Sequence, residues 1–318
     1  MSGSSEASED VSLFFVSGAS AVCSKDDEET SMKQKLSVTF LFTLALFVAP
    51  FARPFSSSVE KMTAEELIAK HLESIGTAKA RASVNTRIIS GISFVIFRTP
   101  PPGQASGKAV LASQGVKSLI GMSFPSPVYP REQLGFNGSS FIAAFVTPGI
   151  RSVLGNFLMT HDFLFKEGLI GGTLSSAWPL LDLAARGPQL DYAGIKKIDN
   201  QPLQVLKYRP HGAPDMKIML FFNPDTFQHV RTEYERIIPA PMGTRANVNV
   251  ETRETRYKMV EEFSDFKKEG ELNLPHLYQI KLTVDSQGGT FLAEWTIKLT
   301  SFTFNQAIDP TSFSISMN

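Results

Sequence analysis

The alternation of apolar and polar residues marks one clear helix at residues 63–76. Thr63 and Glu66 fit a capping box, in which each side chain satisfies a free backbone N–H group of the first turn. Apolar residues then recur at helical spacing, and Gly76 stands where a left-handed terminating residue is expected. Two further helical patterns cover residues 150–165 and 177–186, the second with Ser176 as its predicted cap and Gly187-Pro188 as its stop.

Most of the remaining apolar pattern has the period of two that is typical of β-strands. Turn residues separate the runs, and because the connections are short and polar, we expect a mostly antiparallel sheet. The eleven predicted strands are 86–98, 108–113, 117–124, 133–136, 141–146, 203–208, 217–222, 228–237, 257–266, 277–284 and 291–304.

Several of these strands are apolar on both faces. The late strand 277–284 alternates cleanly, which indicates one buried and one wet face, whereas 92–97, 141–146 and 218–222 do not alternate. Three helices can bury one face of such a sheet. The other face must then pack on a second sheet, close on itself or surround an apolar ligand.

The first sixty residues have a different character. Lys33 and Lys35 precede a thirteen-residue apolar run at 36–48, and small residues follow it. This pattern predicts a secretory signal peptide, because thirteen helical residues span about 20 Å and a bilayer core is about 30 Å thick. A membrane anchor is the alternative. We therefore expect 1–31 to be a non-native N-terminal extension, 32–58 the signal peptide, and 59–318 a single exported, periplasmic domain.

Composition and motifs argue against several classes of function. Lys and Arg together number 31, as do Asp and Glu, so the formal net charge is zero and a nucleic-acid partner is not expected. The one cysteine, Cys23, excludes an intramolecular disulfide and a cysteine-based zinc site. The five histidines are scattered, and neither a nucleophile elbow nor a phosphate-binding loop occurs. The sequence therefore predicts no enzyme activity, no metal and no cofactor.

The order of these elements resembles a known family. The helix at 63–76 follows a signal peptide, the hairpin FNPDTFQHVR occupies 222–231, and FSDFK at 263–267 leads through Gly270 to Leu274-Pro275. From about residue 63 to 304 the chain resembles the LolA-like family of periplasmic outer-membrane lipoprotein-sorting proteins and related lipid carriers. The resemblance implies an unclosed, strongly curved antiparallel half-barrel of about eleven strands, capped by helices.

The resemblance also implies a function. Its partners would be a lipid or lipoprotein acyl chains held in an apolar cavity, with an inner-membrane donor and an outer-membrane acceptor. The alternative is an envelope lipid or lipoprotein sensor, or a scaffold module, with the same fold. The family uses an arginine near the cavity, for which Arg87 and Arg98 are candidates because they flank the first long strand. The competing interpretation is that both arginines are solvent-facing charges at strand ends.

The apolar strands supply the candidate cavity residues. The alternative for the same side chains is a packed core in which they contact only each other. The candidates are Phe94, Ile96, Phe141, Phe145, Phe221, Trp295 and Ile297.

Overall fold

A computed structural model describes residues 62–99, 102–212, 215–240 and 254–316. The predicted extension and signal peptide lie outside the described residues, so the domain boundaries in 1–58 stay predictions. The elements described below all fall within Ser57–Asn318, which forms a compact unit by itself. None of the helices in the described ranges is both long and apolar enough to span a bilayer.

The first helix forms as the sequence predicts. Helix α1 (Ala64–Ile75) begins at Thr63, whose hydroxyl accepts from the Glu66 N–H while the Glu66 carboxylate accepts from the Thr63 N–H. Its apolar face, which includes Leu67 and Ile68, is buried. A short helix α2 (Ala78–Ala82), which the pattern did not predict, follows directly.

The other two predicted helices are shorter than expected. The Ser152 hydroxyl caps the Gly155 N–H, so α3 (Val153–Thr160) begins three residues late and ends at His161. A separate turn of helix, α4 (Phe163–Lys166), follows. In place of the third helix the chain forms a 3-10 turn at Pro179–Leu181 and the short α5 (Leu183–Arg186), which Asp182 caps.

Twelve antiparallel strands form one sheet in the described residues. Their order is β5-β4-β3-β2-β1-β12-β11-β10-β9-β8-β7-β6, so the sheet is not closed and β5 and β6 are its edges. The strands are β1 (Thr86–Phe97), β2 (Gly103–Gln114), β3 (Lys117–Ser123), β4 (Arg131–Phe136), β5 (Phe141–Ala143), β6 (Gln189–Ile198), β7 (Gln201–Arg209), β8 (Lys217–Phe222), β9 (His229–Ile238), β10 (Thr255–Glu269), β11 (Leu272–Ser286) and β12 (Gly289–Phe304). The unclosed antiparallel half-barrel is confirmed, with one strand more than predicted.

The two faces of the sheet differ sharply in the residues they bury. The inner face lies beneath the helices and carries the main core, including Trp295 and Ile297, both almost fully buried. On the outer face, Met219 and Phe221 form a second, smaller cluster with Leu203 and Val205. This cluster explains why 218–222 is apolar on both sides without any ligand.

Candidate functional site

A segment of short helical pieces lies across the inner face of the sheet. We call residues 161–187 the cover; it contains α4, two 3-10 turns at Gly172–Leu174 and Pro179–Leu181, and α5. Phe165 of the cover stacks on Phe141 of β5 with ring centroids 4.4 Å apart. Side chains of both layers are buried against each other, so the space between cover and sheet is closed in this structure. A crevice beside the first 3-10 turn measures only about 10 Å³, room for about one water.

Glu261 on β10 ties the cover to the sheet. Its carboxylate accepts from the Gly171 N–H of the cover at 2.8 Å, from the Tyr234 hydroxyl at 2.6 Å and from the Tyr278 hydroxyl. Burial raises the pKa of the Glu261 carboxyl, and the hydrogen bonds from Tyr234 and Tyr278 oppose that rise. The carboxylate thus acts as a buried anchor for the cover backbone.

A second anchor joins the cover to α1. The Trp178 indole N–H of the cover donates to His71 Nε2 at 3.1 Å, and His71 Nδ1 lies 3.0 Å from the Phe227 carbonyl oxygen. His71 must be neutral to accept from Trp178, and burial lowers its pKa to about 4. Trp178 also stacks on His229 at 4.6 Å between centroids. This anchor therefore depends on uncharged histidine.

Arg87 on β1 supplies a third anchor. It is 2% exposed, and its Nη1 donates to the Thr173 carbonyl oxygen of the cover at 2.6 Å. Burial lowers the pKa of the Arg87 guanidinium to about 10. Arg98, at the other end of the same strand, instead lies at the surface and pairs with Glu294 at 3.0 Å. The surface-charge interpretation therefore holds for Arg98, whereas Arg87 lies beneath the cover.

Unsatisfied polar atoms gather where the 3-10 turn meets the sheet. Three of the four buried side-chain atoms of the described residues that lack a protein hydrogen-bond partner lie at this turn: Arg87 Nε, Thr173 Oγ1 and His229 Nδ1. Gly172 approaches the sheet closely, since a Cβ placed on it would lie 2.9 Å from Phe263 and 3.0 Å from His229 Nδ1. An unsatisfied buried polar group costs about 1–3 kcal/mol. At this turn the cover therefore places polar atoms against the sheet without a protein partner.

A separate polar chain runs through the inner face beside α3. The Trp295 indole N–H donates to the Tyr129 hydroxyl at 2.9 Å, and that hydroxyl donates to Glu132 Oε2 at 2.6 Å. Burial raises the pKa of the Glu132 carboxyl to about 7, and hydrogen bonds from Ser152 and Tyr129 oppose that rise.

The structure separates the seven predicted cavity residues. Phe141, Trp295 and Ile297 lie together in the core beneath the helices. Phe94 and Ile96 point to the outer face and are exposed, and Phe221 lies in the outer cluster. These three are not on the inner face because strand register assigns alternate residues to opposite sides.

Phe145 occupies a different place again. It is partly buried and lines an open depression of about 560 Å³ with Arg131 and Val146. The Arg151 guanidinium lies 4.5 Å from the centre of its ring. Phe145 therefore belongs to neither the main core nor the outer cluster.

Sequence reasoning missed Glu261, His229 and Trp178. Glu261 carries a recognisable signal, because it interrupts the apolar row that Met259 and Phe263 continue on the inner face. An acid inside an alternating apolar row must be paired when buried. His229 and Trp178 carry no comparable signal, since their meeting depends on how the cover folds back. Among the described residues, no group of three metal-ligating side chains is found.

No protein-family model matches the sequence, and no curated protein matches it. Among solved structures, the chain is similar to a DUF1329 family protein from Desulfovibrio piger, with a TM-score of 0.42 and 10% identity over 79% of this chain and 96% of that chain. It is similar to a LolA superfamily protein from Nitrosomonas europaea, with a TM-score of 0.40 and 11% identity over 79% and 97%. It is also similar to a putative outer membrane lipoprotein-sorting protein domain from Vibrio parahaemolyticus, with a TM-score of 0.39 and 11% identity over 77% and 97%.

The strand order and the position of the helices in this chain define its fold directly. An unclosed antiparallel half-barrel with helices across one face is what the LolA-like resemblance implies, and the chain has that architecture.

Proposed function

We propose that this protein is a non-catalytic periplasmic carrier that holds lipoprotein acyl chains, or another lipid, between the inner face of the sheet and the cover. The observation that carries the proposal is the cover itself. It rests on a large apolar face, yet several of its contacts are buried polar groups that are only partly satisfied. A ligand that replaces this layer on the sheet would cover the same apolar surface.

The energetics favour exchange of the cover for an apolar ligand. Lifting the 3-10 turn would let water reach Arg87 Nε, Thr173 Oγ1 and His229 Nδ1, which recovers part of their desolvation penalty. The same movement exposes apolar side chains, at about 25 cal/mol per Å². An acyl chain that entered the gap would cover that apolar surface again. The open form is then unfavourable without a ligand and favourable with one.

The buried acids and histidines of the inner face have structural partners. Glu261 accepts three hydrogen bonds, and His71 is held between Trp178 and the Phe227 carbonyl. These contacts account for the two groups without any catalytic role. Export and delivery between an inner-membrane donor and an outer-membrane acceptor belong to the same proposal and rest on the sequence.

A reversible lock on the cover tests the proposal. The Ser176 N–H of the cover donates to Ser113 Oγ of β2 at 2.9 Å, so the two residues are neighbours across the gap. In the chain from Val59 onward, which lacks Cys23, the double variant Ser113→Cys/Ser176→Cys would carry the only two cysteines. A thiol assay would show whether oxidation joins the two cysteines, and that disulfide would hold the cover down.

We expect the oxidised variant to lose most of its binding of a fluorescent fatty-acid probe, and the reduced form of the same protein to recover it. The reduced form is the matched control for both substitutions. Equal binding by the two forms would show that the ligand does not enter under the cover. A sensor or scaffold would bind the probe but fail to pass it to acceptor vesicles, which separates that alternative from a carrier.

A further inference from the structure

The outer face of β1 carries an exposed ridge of large apolar side chains. Ile92, Phe94 and Ile96 are 48%, 40% and 36% exposed, and at two-residue spacing they extend over about 14 Å. β1 and β12 lie in the middle of the twelve-strand order. A contiguous exposed apolar patch of this kind indicates an interaction surface.

Basic residues flank this ridge across the strands. Lys108 and Lys298 lie on either side of Ile92, are exposed, and form no ion pair with any acid of the described residues. The Lys298 ammonium also lies 5.9 Å from the centre of the Phe94 ring. The cross-strand neighbours in one row, from β12 to β4, are Lys298, Ile92, Lys108, Ser123 and Arg131.

The neighbouring row is small and uncharged. It consists of Ser301, Ser90, Val110, Gly121 and Gln133. Several of these residues line an open depression of about 660 Å³, whose rim includes Ile92, Lys108 and Arg131. Neither of these two rows contains an acid. Glu294 lies beside Ile96 at the other end of the ridge, where it pairs with Arg98 and Lys281. The surface thus combines an apolar ridge, a border with more basic than acidic residues and an open depression.

We propose that this ridge docks the protein on the surface of a bilayer that contains anionic phospholipid. Ile92, Phe94 and Ile96 would enter the boundary between headgroups and acyl chains, while Lys108 and Lys298 would lie among the phosphates. The charge of the border is complementary to such a surface. A peptide is a poorer partner here, because extended peptides add to sheet edges, and the free edges are β5 and β6. The inference goes beyond the carrier proposal, since it concerns the opposite face.

Vesicle sedimentation tests the docking surface. The chain from Val59 onward is spun with vesicles of phosphatidylcholine alone or with phosphatidylglycerol added. We expect binding to the mixed vesicles only, weakened by salt because the attraction is screened. Each lysine near an anionic surface is worth about fivefold in partitioning, so Lys108→Gln/Lys298→Gln should bind about 25-fold more weakly. Phe94→Ser should weaken binding further.

The matched control is Lys207→Gln/Lys217→Gln. It removes the same charge from exposed lysines of the same face, near the β6 edge, where each is paired with an acid. We expect it to bind nearly as the wild type does. Equal weakening by the two double variants, or no binding to mixed vesicles, would overturn the proposal. So would binding of soluble polyglutamate with the same dependence on Lys108 and Lys298, which would indicate an acidic protein segment. Uptake of the fatty-acid probe should be unchanged in all these variants, so the docking and carrier proposals fail separately.

Discussion

At the scale of single residues, Arg87 contacts the cover at the cost of burying its charged guanidinium. A buried cation loses its hydration, and here it gains one short hydrogen bond to a carbonyl and no ion pair with a described acid. The Thr173 carbonyl would in turn lose its donor if Arg87 were removed. The net effect of the side chain on stability is the difference between these two terms.

We expect Arg87→Met to raise the free energy of unfolding by about 1–2 kcal/mol, because removing a buried, unpaired cation outweighs one lost hydrogen bond. Arg98→Met is the matched control on the same strand. Its surface pair with Glu294 should be worth less than about 1 kcal/mol, with the opposite sign. Urea unfolding at pH 7 measures both. Destabilisation by Arg87→Met larger than that by Arg98→Met would show that Arg87 is a net stabilising contact.

Residue roles were only partly accessible from the sequence. Arg87 and Arg98 are equivalent in the linear pattern, since both flank the same strand. Their different burial arises from the segment that covers one end of the strand, about 85 residues further along the chain. Similarly, Phe94 lies in a run that is apolar on both faces, and pairing with β12 places Val95 rather than Phe94 opposite the buried Trp295. Long-range contacts of this kind leave no local signature.

At the scale of elements, the anchor between α1 and the cover makes stability depend on pH. The pKa of His71 is about 4 in the folded protein and about 6.5 in the unfolded chain. The unfolded state therefore binds more protons between these values, and stability falls as the pH drops from about 6.5 to 4. Burial lowers the pKa of His229 in the same direction. Glu132 has the opposite effect. Its pKa is raised from 4.5 to about 7 in the folded protein, so its contribution to stability is lost as the pH rises from about 4.5 to 7.

Because these contributions oppose each other, the wild-type profile is flattened and a variant is needed to isolate His71. His71→Gln keeps an acceptor for the Trp178 N–H and a donor for the Phe227 carbonyl, but it does not titrate. We expect the unfolding free energy of His71→Gln minus that of the wild type to increase by up to about 3 kcal/mol as the pH falls from 6.5 to 4. Denaturant unfolding at several pH values measures this. A constant difference between the two proteins would mean that His71 does not titrate in this range.

Elements with strong local signals were predicted well and weakly marked ones were not. The capping box placed α1 to within one residue. β6 was missed because it is an edge strand rich in charge, with Gly194 at a bulge, and it pairs only with β7. The third helix was predicted too long because Asp182 caps a new start inside it. Local chemistry thus fixed where helices begin, whereas pairing across the sheet fixed the weak strand.

At the scale of the whole molecule, the open sheet and its cover form two layers packed on one apolar core. The two edge strands, β5 and β6, do not pair with each other. Each strand pairs only with its neighbours in the sheet, so the hydrogen bonds between strands do not involve the cover. The doubly apolar strands that suggested a ligand are explained in part by the outer cluster and the outer ridge. What remains for a ligand is the inner face beneath the cover, where the core residues Phe141, Trp295 and Ile297 lie.

If that inner face accepts acyl chains in the cell, a lipid should accompany the protein through purification. We expect mass spectrometry of organic extracts from the chain beginning at Val59 to detect an acyl lipid in amounts comparable to the protein. The Ser113→Cys/Ser176→Cys variant, oxidised before it meets lipid and then incubated with a cell lipid extract, should carry much less than its reduced form. Lipid bound at the outer ridge would be insensitive to this lock and would be lost in Lys108→Gln/Lys298→Gln instead. An extract free of lipid in every form, together with no probe uptake, would show that the inner face is a packed core.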